Sequence, residues 1–313
     1  MLLGTGAGNG ERGMRVVVSG SSGLIGRSVV AGLRARGDEV TLLVRRPPAA
    51  GEARWDPGTG SIDAGALVGA DAVVNLSGAG IGDKRWSAAR RHEIVASRVQ
   101  ATALLARTLA ELARPPSVLV NASAVGFYGD RGDETLTEAS ARGSGFLAAV
   151  CGSWEDATEP AVQRGLRVVR LRSGVVLSAH GGALARQLPL FRLGIGGRLG
   201  SGRQWFSWIS LPDEVRAILH ALDEPAVQGA VNATAPEPVT NRDFTRALGR
   251  ALHRPSVMAV PGFALRIALG SDLASEMVLA GQRVLPTRLT ATGFTFDHPR
   301  IETALANLFS PGA

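Results

Sequence analysis

The 313-residue chain holds one cysteine (Cys151), one lysine (Lys84) and one tyrosine (Tyr128). A lone cysteine excludes an intramolecular disulfide and fits a reducing compartment, so a cytoplasmic location is expected. No apolar run reaches the roughly 20 residues that a membrane-spanning helix needs, which predicts a soluble protein without a membrane partner. The five histidines (His92, His180, His220, His253, His298) show no ligand spacing, and no metal site is expected. Dense runs of basic residues interleaved with aromatics are also lacking, which argues against nucleic acid as the partner.

What is present suits a folded enzyme-sized domain. Hydrophobic residues make up 45% and charged residues 19%, a globular balance rather than a disordered one. The net charge of +7 comes almost wholly from arginine, and it fits an anionic cofactor as well as a nucleic acid.

Apolar periodicity gives alternating strands and helices. Strands are expected at 14–19, 39–44, 71–76, 117–121, 166–171 and 229–233. Helices are expected at 24–36, about 87–112, about 146–163 and 212–222. The longest turns Ile94, Val95, Leu105, Leu109 and Leu112 inward and stops at Pro115 and Pro116. This alternation predicts an α/β fold with a doubly wound parallel sheet. From Asn241 onward, short helices and proline-punctuated turns suggest a smaller C-terminal lobe.

The strongest motif lies between the first strand and the first helix: Ser19-Gly20-Ser21-Ser22-Gly23-Leu24-Ile25-Gly26. Glycine is needed where a side chain would block a pyrophosphate or the packing of helix on strand, and the helix start then aims free N–H groups at the phosphates. In this context the pattern predicts a Rossmann-type dinucleotide site; the competing reading is an ordinary tight turn. The second strand ends in Arg45 and Arg46 with no acidic residue, so two guanidiniums would meet a 2′-phosphate and NADP(H) is preferred over NAD. The competing reading is a pair of solvated loop arginines.

Taken with Asn75 to Ile81, Lys84-Arg85-Trp86, Ser97-Arg98, Ser123 to Gly129, Gly200 to Ile209 and Gly281 to Val284, these residues give the chain a resemblance. It resembles the extended short-chain dehydrogenase/reductases, and more narrowly their atypical "epimerase family protein" branch, from Met14 to Leu308. The resemblance implies that Asn75, Leu76, Ser77 and Gly78 line the dinucleotide and that Ser123 holds the catalytic serine position. It implies a substrate site between the Rossmann core and the later lobe, and a possible homodimer. The expected division is a flexible tail at 1–13, a cofactor domain at 14–178 plus about 204–236, and a substrate lobe at about 179–203 and 237–313.

Two departures stand out. Active members of the wider family use a tyrosine followed four residues later by lysine to move a proton while hydride moves. Here that pair falls on Leu147 and Cys151 in one register, or on Phe146 and Val150 in another. The arginine that grips the pyrophosphate in sugar-nucleotide epimerases falls on Phe206, with Arg203 nearby on another face. Ser123 and Tyr128 remain as candidate catalytic hydroxyls, Ser123 to polarise a carbonyl and Tyr128 to donate a proton. Arg85, Arg90, Arg91 and Arg98 could approach an anionic substrate, but a solvated helix face is the simpler expectation. Trp205 and Trp208 could close over a substrate or pack in the core, Cys151 reads as an inert buried thiol, and Asp56 is a candidate for the adenine region.

The leading expectation is an NADP(H)-dependent oxidoreductase that reduces a small carbonyl-type substrate. The alternatives are a non-catalytic NADP(H)-binding or redox-sensing protein, and a nucleotide-sugar epimerase as the family label suggests.

Overall fold

The computed structural model describes residues 13–310. The expected flexible tail, residues 1–13, lies outside the described residues except for Gly13.

Eight strands form the main sheet: β1 (Arg15–Ser19), β2 (Glu39–Val44), β3 (Glu52–Asp56), β4 (Ser61–Ile62), β5 (Ala72–Asn75), β6 (Val118–Ala124), β7 (Arg167–Ser173) and β8 (Gly229–Ala233). Their order is β8-β7-β6-β5-β1-β2-β3-β4. All pairings are parallel except β3 with β4, which is antiparallel. The chain runs from β1 outward on one side and returns through β5 on the other, so the order reverses between β1 and β5. Ligands of open α/β sheets bind at such a switch point, outside the carboxyl ends of the strands.

The strand periodicity explains why both faces are covered. In β1, Val16 and Val18 point into one apolar cluster with Val29 and Leu33 of helix α1 (Leu24–Ala35). Val17 points into the opposite cluster with Leu105 and Leu109 of helix α2 (Ala88–Glu111). Burial of each such side chain contributes roughly 1.5–3 kcal/mol, so a sheet covered on both sides is strongly favoured. Helix α4 (Leu211–Asp223) completes the α1 side through Ile218 and Leu222. A third cluster gathers Leu184, Leu188, Trp208, Phe244, Leu248 and Leu305 from the later part of the chain.

Two local differences from the sequence expectation have physical causes. The helix expected over 146–163 is two helices, α3 (Phe146–Asp156) and a short one at Glu159–Gln163, with Pro160 in the first turn of the second. Proline suits a helix start because its missing N–H would have no partner there. Strand β3 was not expected; it alternates, with Ala53 and Trp55 buried between exposed or half-buried neighbours. Among the described residues no helix is long and apolar enough to cross a membrane.

Candidate active site

A cleft of about 1080 Å³ opens at the switch point, walled by the loops after β1, β2 and β5. Gly20, Ser21, Ser22 and Gly23 form one wall, and Leu76, Ser77 and Gly78 another. Each motif glycine serves a different need. Gly20 has a φ of +72° and lies against the Leu76 carbonyl, so it turns the chain where other residues are strained. Gly26 lies against the Gly20 backbone, which lets α1 pack close to the turn. Gly23 has an ordinary φ of −73°, and a Cβ there would meet only the Gly20 carbonyl, at 3.3 Å. A Cβ would press on that one backbone oxygen and otherwise meet no protein atom, since its open side is the cleft.

Helix α1 begins at this wall with no side-chain cap and no acidic residue in its first turn. The unpaired N–H groups of that turn and the helix dipole make it an anion site. Leu24, Ile25 and Gly26 give backbone to the turn while their side-chain positions face inward: Leu24 packs on Gly181, and Ile25 on the core. Asn75 does not reach the cleft. It is fully buried, accepts from Ser19 Oγ at 2.6 Å, and donates to Asn121 at 2.6 Å and Thr102 at 2.9 Å. Its role is to tie β1, β5, β6 and α2 together beneath the loops.

Arg45 and Arg46 both line the cleft, but they are not equivalent. The loop from β2 turns straight back into β3, which sets Glu52 beside Arg46. Arg46 makes two bonds to that carboxylate, at 2.6 and 2.7 Å, which holds the Glu52 carboxyl below its usual range. Asp56 also lines the cleft, next to Trp55.

The expected solvated arginine face of α2 is not what forms. Arg85, in the loop just before α2, donates to the Ile267 and Ala268 carbonyls, and Arg91 of α2 pairs with Asp272, so both fasten this region to the later segment. Arg90 and Arg98 are buried instead, 7% and 6% exposed. Arg90 donates to the Gly80 carbonyl and pairs with Glu93 at 2.6 Å. The physical reason is that the loop after β5 runs along this helix, offering the Gly80 carbonyl to Arg90 and laying Gly78 against Arg98.

The end of β6 carries a connected polar network. Register sets Ser123 beside Arg172 of β7, and Arg172 beside Asn232 of β8. Ser123 Oγ donates to Glu155 Oε1 at 2.7 Å. Arg172 donates to both oxygens of Glu155, each at 2.8 Å, and through Nη1 to the Tyr128 hydroxyl at 3.0 Å. The Tyr128 hydroxyl in turn donates to Asn232 Oδ1 at 2.7 Å. Burial pushes the Tyr128 phenol above its usual range, against the pull of Arg172. Ser123 and Tyr128 are thus brought together through Glu155 and Arg172, neither of which was singled out from the sequence. Neither hydroxyl lines the large cleft.

Helix α3 turns Leu147, Cys151 and Glu155 toward the same strand end, one turn apart. A Cβ on Gly126 would meet Leu147 at 3.4 Å and Cys151 Sγ at 3.7 Å. Burial pushes the Cys151 thiol up to about 12, in keeping with an unreactive group. Phe146 of the other register stacks edge-on against Trp86 instead, and Val150 is buried. Beside Leu147 lies a second cavity of about 210 Å³, lined by Gly126, Ser144, Glu276 and Gln282 among others. Glu276 caps α3 by accepting from the N–H groups of Phe146 and Leu147. Of the two tryptophans, Trp208 is core, whereas Trp205 donates to Asp133 at 2.8 Å under the Arg283 guanidinium. Phe206 packs on Phe244, with ring centroids 4.5 Å apart.

The family model described as the NAD dependent epimerase/dehydratase family matches residues 16–233. The chain belongs to this family. A domain of unknown function matches residues 260–308, the segment that supplies Glu276 and Gln282. An epimerase family protein of Mycobacterium bovis is 48% identical over 291 residues, 93% of this chain and 96% of that protein. A chloroplastic epimerase family protein of Arabidopsis thaliana is 41% identical over 94% of this chain and 86% of its own. The crystal structure of a human epimerase family protein with NADPH superposes with a TM-score of 0.86 at 35% identity, covering 95% of this chain and 99% of that one. The resemblance to the epimerase-family branch of the extended short-chain dehydrogenase/reductases therefore holds, as does the doubly wound sheet.

Proposed function

We propose that this family member binds NADP(H) in the switch-point cleft and reduces a small carbonyl-type substrate at the end of β6. The observation that carries the reading is the start of α1 at Gly23: an uncapped helix end whose glycine has one protein atom near its Cβ position and otherwise faces a cleft at the upper end of small-molecule sites. The NADPH held by the human relative agrees with it. Gly20 to Gly26 and Leu76 to Gly78 would cradle the phosphates, with Asn75 holding the two loops at their spacing. Arg45, with Arg46 behind it, would meet the 2′-phosphate.

Bound NADPH would supply hydride to a carbonyl carbon, and the alkoxide left on its oxygen would take the Ser123 hydroxyl proton, which solvent water then restores. The chain's part is to orient the carbonyl and polarise its oxygen. Ser123, 4% exposed and lining neither cavity, would do so by turning its O–H from Glu155 toward a substrate seated past Gly126, and Glu155, fixed by Arg172, keeps that hydroxyl at the strand end. Tyr128 serves this machinery from behind: its enclosed, neutral phenol fixes Arg172. The C-terminal lobe closes the site with Glu276 and Gln282.

The 210 Å³ cavity fits a few-carbon polar molecule rather than a nucleotide sugar, and Phe206 stands in the aromatic core where a pyrophosphate-gripping arginine would be needed. A panel of small aldehydes and ketones incubated with NADPH tests the reading. At least one should consume the reduced cofactor, and Ser123→Ala should lower that rate by about a hundredfold or more. A second reading, a non-catalytic NADP(H)-binding protein, is favoured by the apolar Leu147 and Cys151 at the end of β6. It predicts tight NADPH binding with no turnover anywhere in the panel.

A further inference from the structure

The later part of the chain exposes an apolar surface that the fold does not cover. Leu193, Ile195, Val257, Met258, Phe263 and Ile267 are each between 53% and 86% exposed. They come from two stretches that packing brings together. The strands Gly197–Leu199 and Met258–Val260 pair in parallel, with Gly197 opposite Met258. Just before them, Arg254 Nε donates to the Arg192 carbonyl at 3.0 Å, and a Cβ on Gly194 would meet Pro255 at 3.4 Å. Leu193 and Ile195 therefore lie beside Val257 and Met258. The helix Gly262–Leu269 follows directly; its Phe263 and Ile267, four residues apart, project from one face while Leu265 is buried on another. Single exposed apolar side chains are ordinary, but six on adjoining segments mark a surface that meets something.

Charge narrows what that is. The sequence holds no aspartate or glutamate from Pro160 to Pro212, nor from Phe244 to Ser271. These two stretches supply all six apolar residues, and with them the exposed Arg192, Arg250, Arg254 and Arg266. None of the four is paired with a carboxylate among the described residues, whereas their neighbour Arg246 has Asp243 at 3.7 Å. A second copy docked face to face would set these cations against one another. A bilayer with anionic headgroups suits both features, since its surface draws guanidiniums and its acyl boundary accepts apolar tips. Lying on a bilayer requires no helix long and apolar enough to cross it, and none is found among the described residues.

We propose that this face of the later lobe docks on anionic lipid bilayers, with Val257, Met258, Phe263 and Ile267 entering the acyl boundary and the arginines lying among the headgroups. The docking is independent of what the cleft binds. Sedimentation with vesicles tests it. The purified chain should pellet with phosphatidylcholine vesicles that contain phosphatidylglycerol and not with phosphatidylcholine alone, and the binding should weaken as salt is raised. Phe263→Ser/Ile267→Ser should lower the vesicle affinity by about tenfold or more, and Val257→Ser/Met258→Ser, on the other segment, should do likewise. Arg250→Gln/Arg266→Gln should lower it several-fold at low salt. All three variants change exposed side chains, so each should melt as the wild type does, and the second serine variant serves if the first fails to fold. No vesicle binding, equal binding to both vesicle types, or full binding in both serine variants overturns the proposal. Without vesicle binding, a dimer that the serine variants dissolve would give the face to a second copy, and retention on heparin would give it to an acidic polymer; either result overturns the proposal as well.

Discussion

Arg172 clasps Glu155 through two parallel hydrogen bonds of 2.8 Å, with both side chains almost wholly out of water. Burial alone would lower the guanidinium's hold on its proton, and the Glu155 carboxylate more than offsets it, so Arg172 stays charged. Because Glu155 also accepts from Ser123, this pair decides where the Ser123 hydroxyl points.

Breaking the clasp should therefore cost stability as well as activity. Glu155→Ala leaves Arg172 buried without its anion, and a loss of roughly 3–5 kcal/mol is expected in chemical denaturation. Glu155→Gln keeps one acceptor oxygen for Ser123 and Arg172 Nε, though its NH2 faces the Nη2 donor and the anion is gone, and it should lose less than Glu155→Ala. Equal stability of Glu155→Ala and wild type would show the pair to be dispensable.

Gly23 separates folding from binding. Gly23→Ala should lose clearly less stability than Gly20→Ala, since its backbone is ordinary and a Cβ meets only the Gly20 carbonyl, at 3.3 Å. Its NADPH affinity should fall at least tenfold, because the new methyl enters the phosphate cradle. Gly20→Ala should instead lower the melting temperature clearly, through its positive φ and the adjacent Leu76 carbonyl.

The two arginines after β2 should contribute unequally. Arg46 is already engaged by Glu52, whereas no carboxylate pairs with Arg45 among the described residues. Arg45→Ala should reduce the preference for NADPH over NADH by about tenfold, and Arg46→Ala by less, as read from paired titrations. The reverse ranking would assign the 2′-phosphate to Arg46.

Glu214 gives the fold a pH dependence. It is fully buried on α4, bonded on one oxygen to Ser173 at 2.6 Å and unpartnered on the other, and burial pushes it up to about 7. The folded state thus holds this proton more tightly than the unfolded chain does. Its contribution is complete below the unfolded carboxyl range, near ~4.3, and is lost as pH rises through about 7. Glu214→Gln should therefore gain stability over wild type at pH 8, by roughly 3 kcal/mol, and show little gain at pH 4.5. A pH-independent difference in melting temperature would remove the carboxyl as the cause.

The sheet was legible because its residues obey local rules. Val16, Val17 and Val18 alternate between two covers, and the strand at Gly229–Ala233 matches its sequence pattern to the residue. The glycine turn was legible for the same reason, since a tight turn between strand and helix is a local demand. Glu52 was not, because its effect on Arg46 depends on how quickly β3 follows β2. Nor were Glu155 and Arg172, 17 residues apart in the chain and joined only by packing of α3 on the sheet. A hint existed in Arg167 to Ser173, where charged residues alternate with buried valine and leucine in the middle of a sheet. The burial of Arg98 was hidden by a general rule: helix arginines usually face water, and here the loop after β5 and Trp154 of α3 cover this one.

The central claim is that the switch-point cleft holds NADPH. Titrating the purified chain with NADPH and NADH tests it most directly. One saturable site per chain, tighter for NADPH than for NADH and weakened at least tenfold in Gly23→Ala, is the predicted result; failure to bind either dinucleotide, reduced or oxidised, would contradict the account.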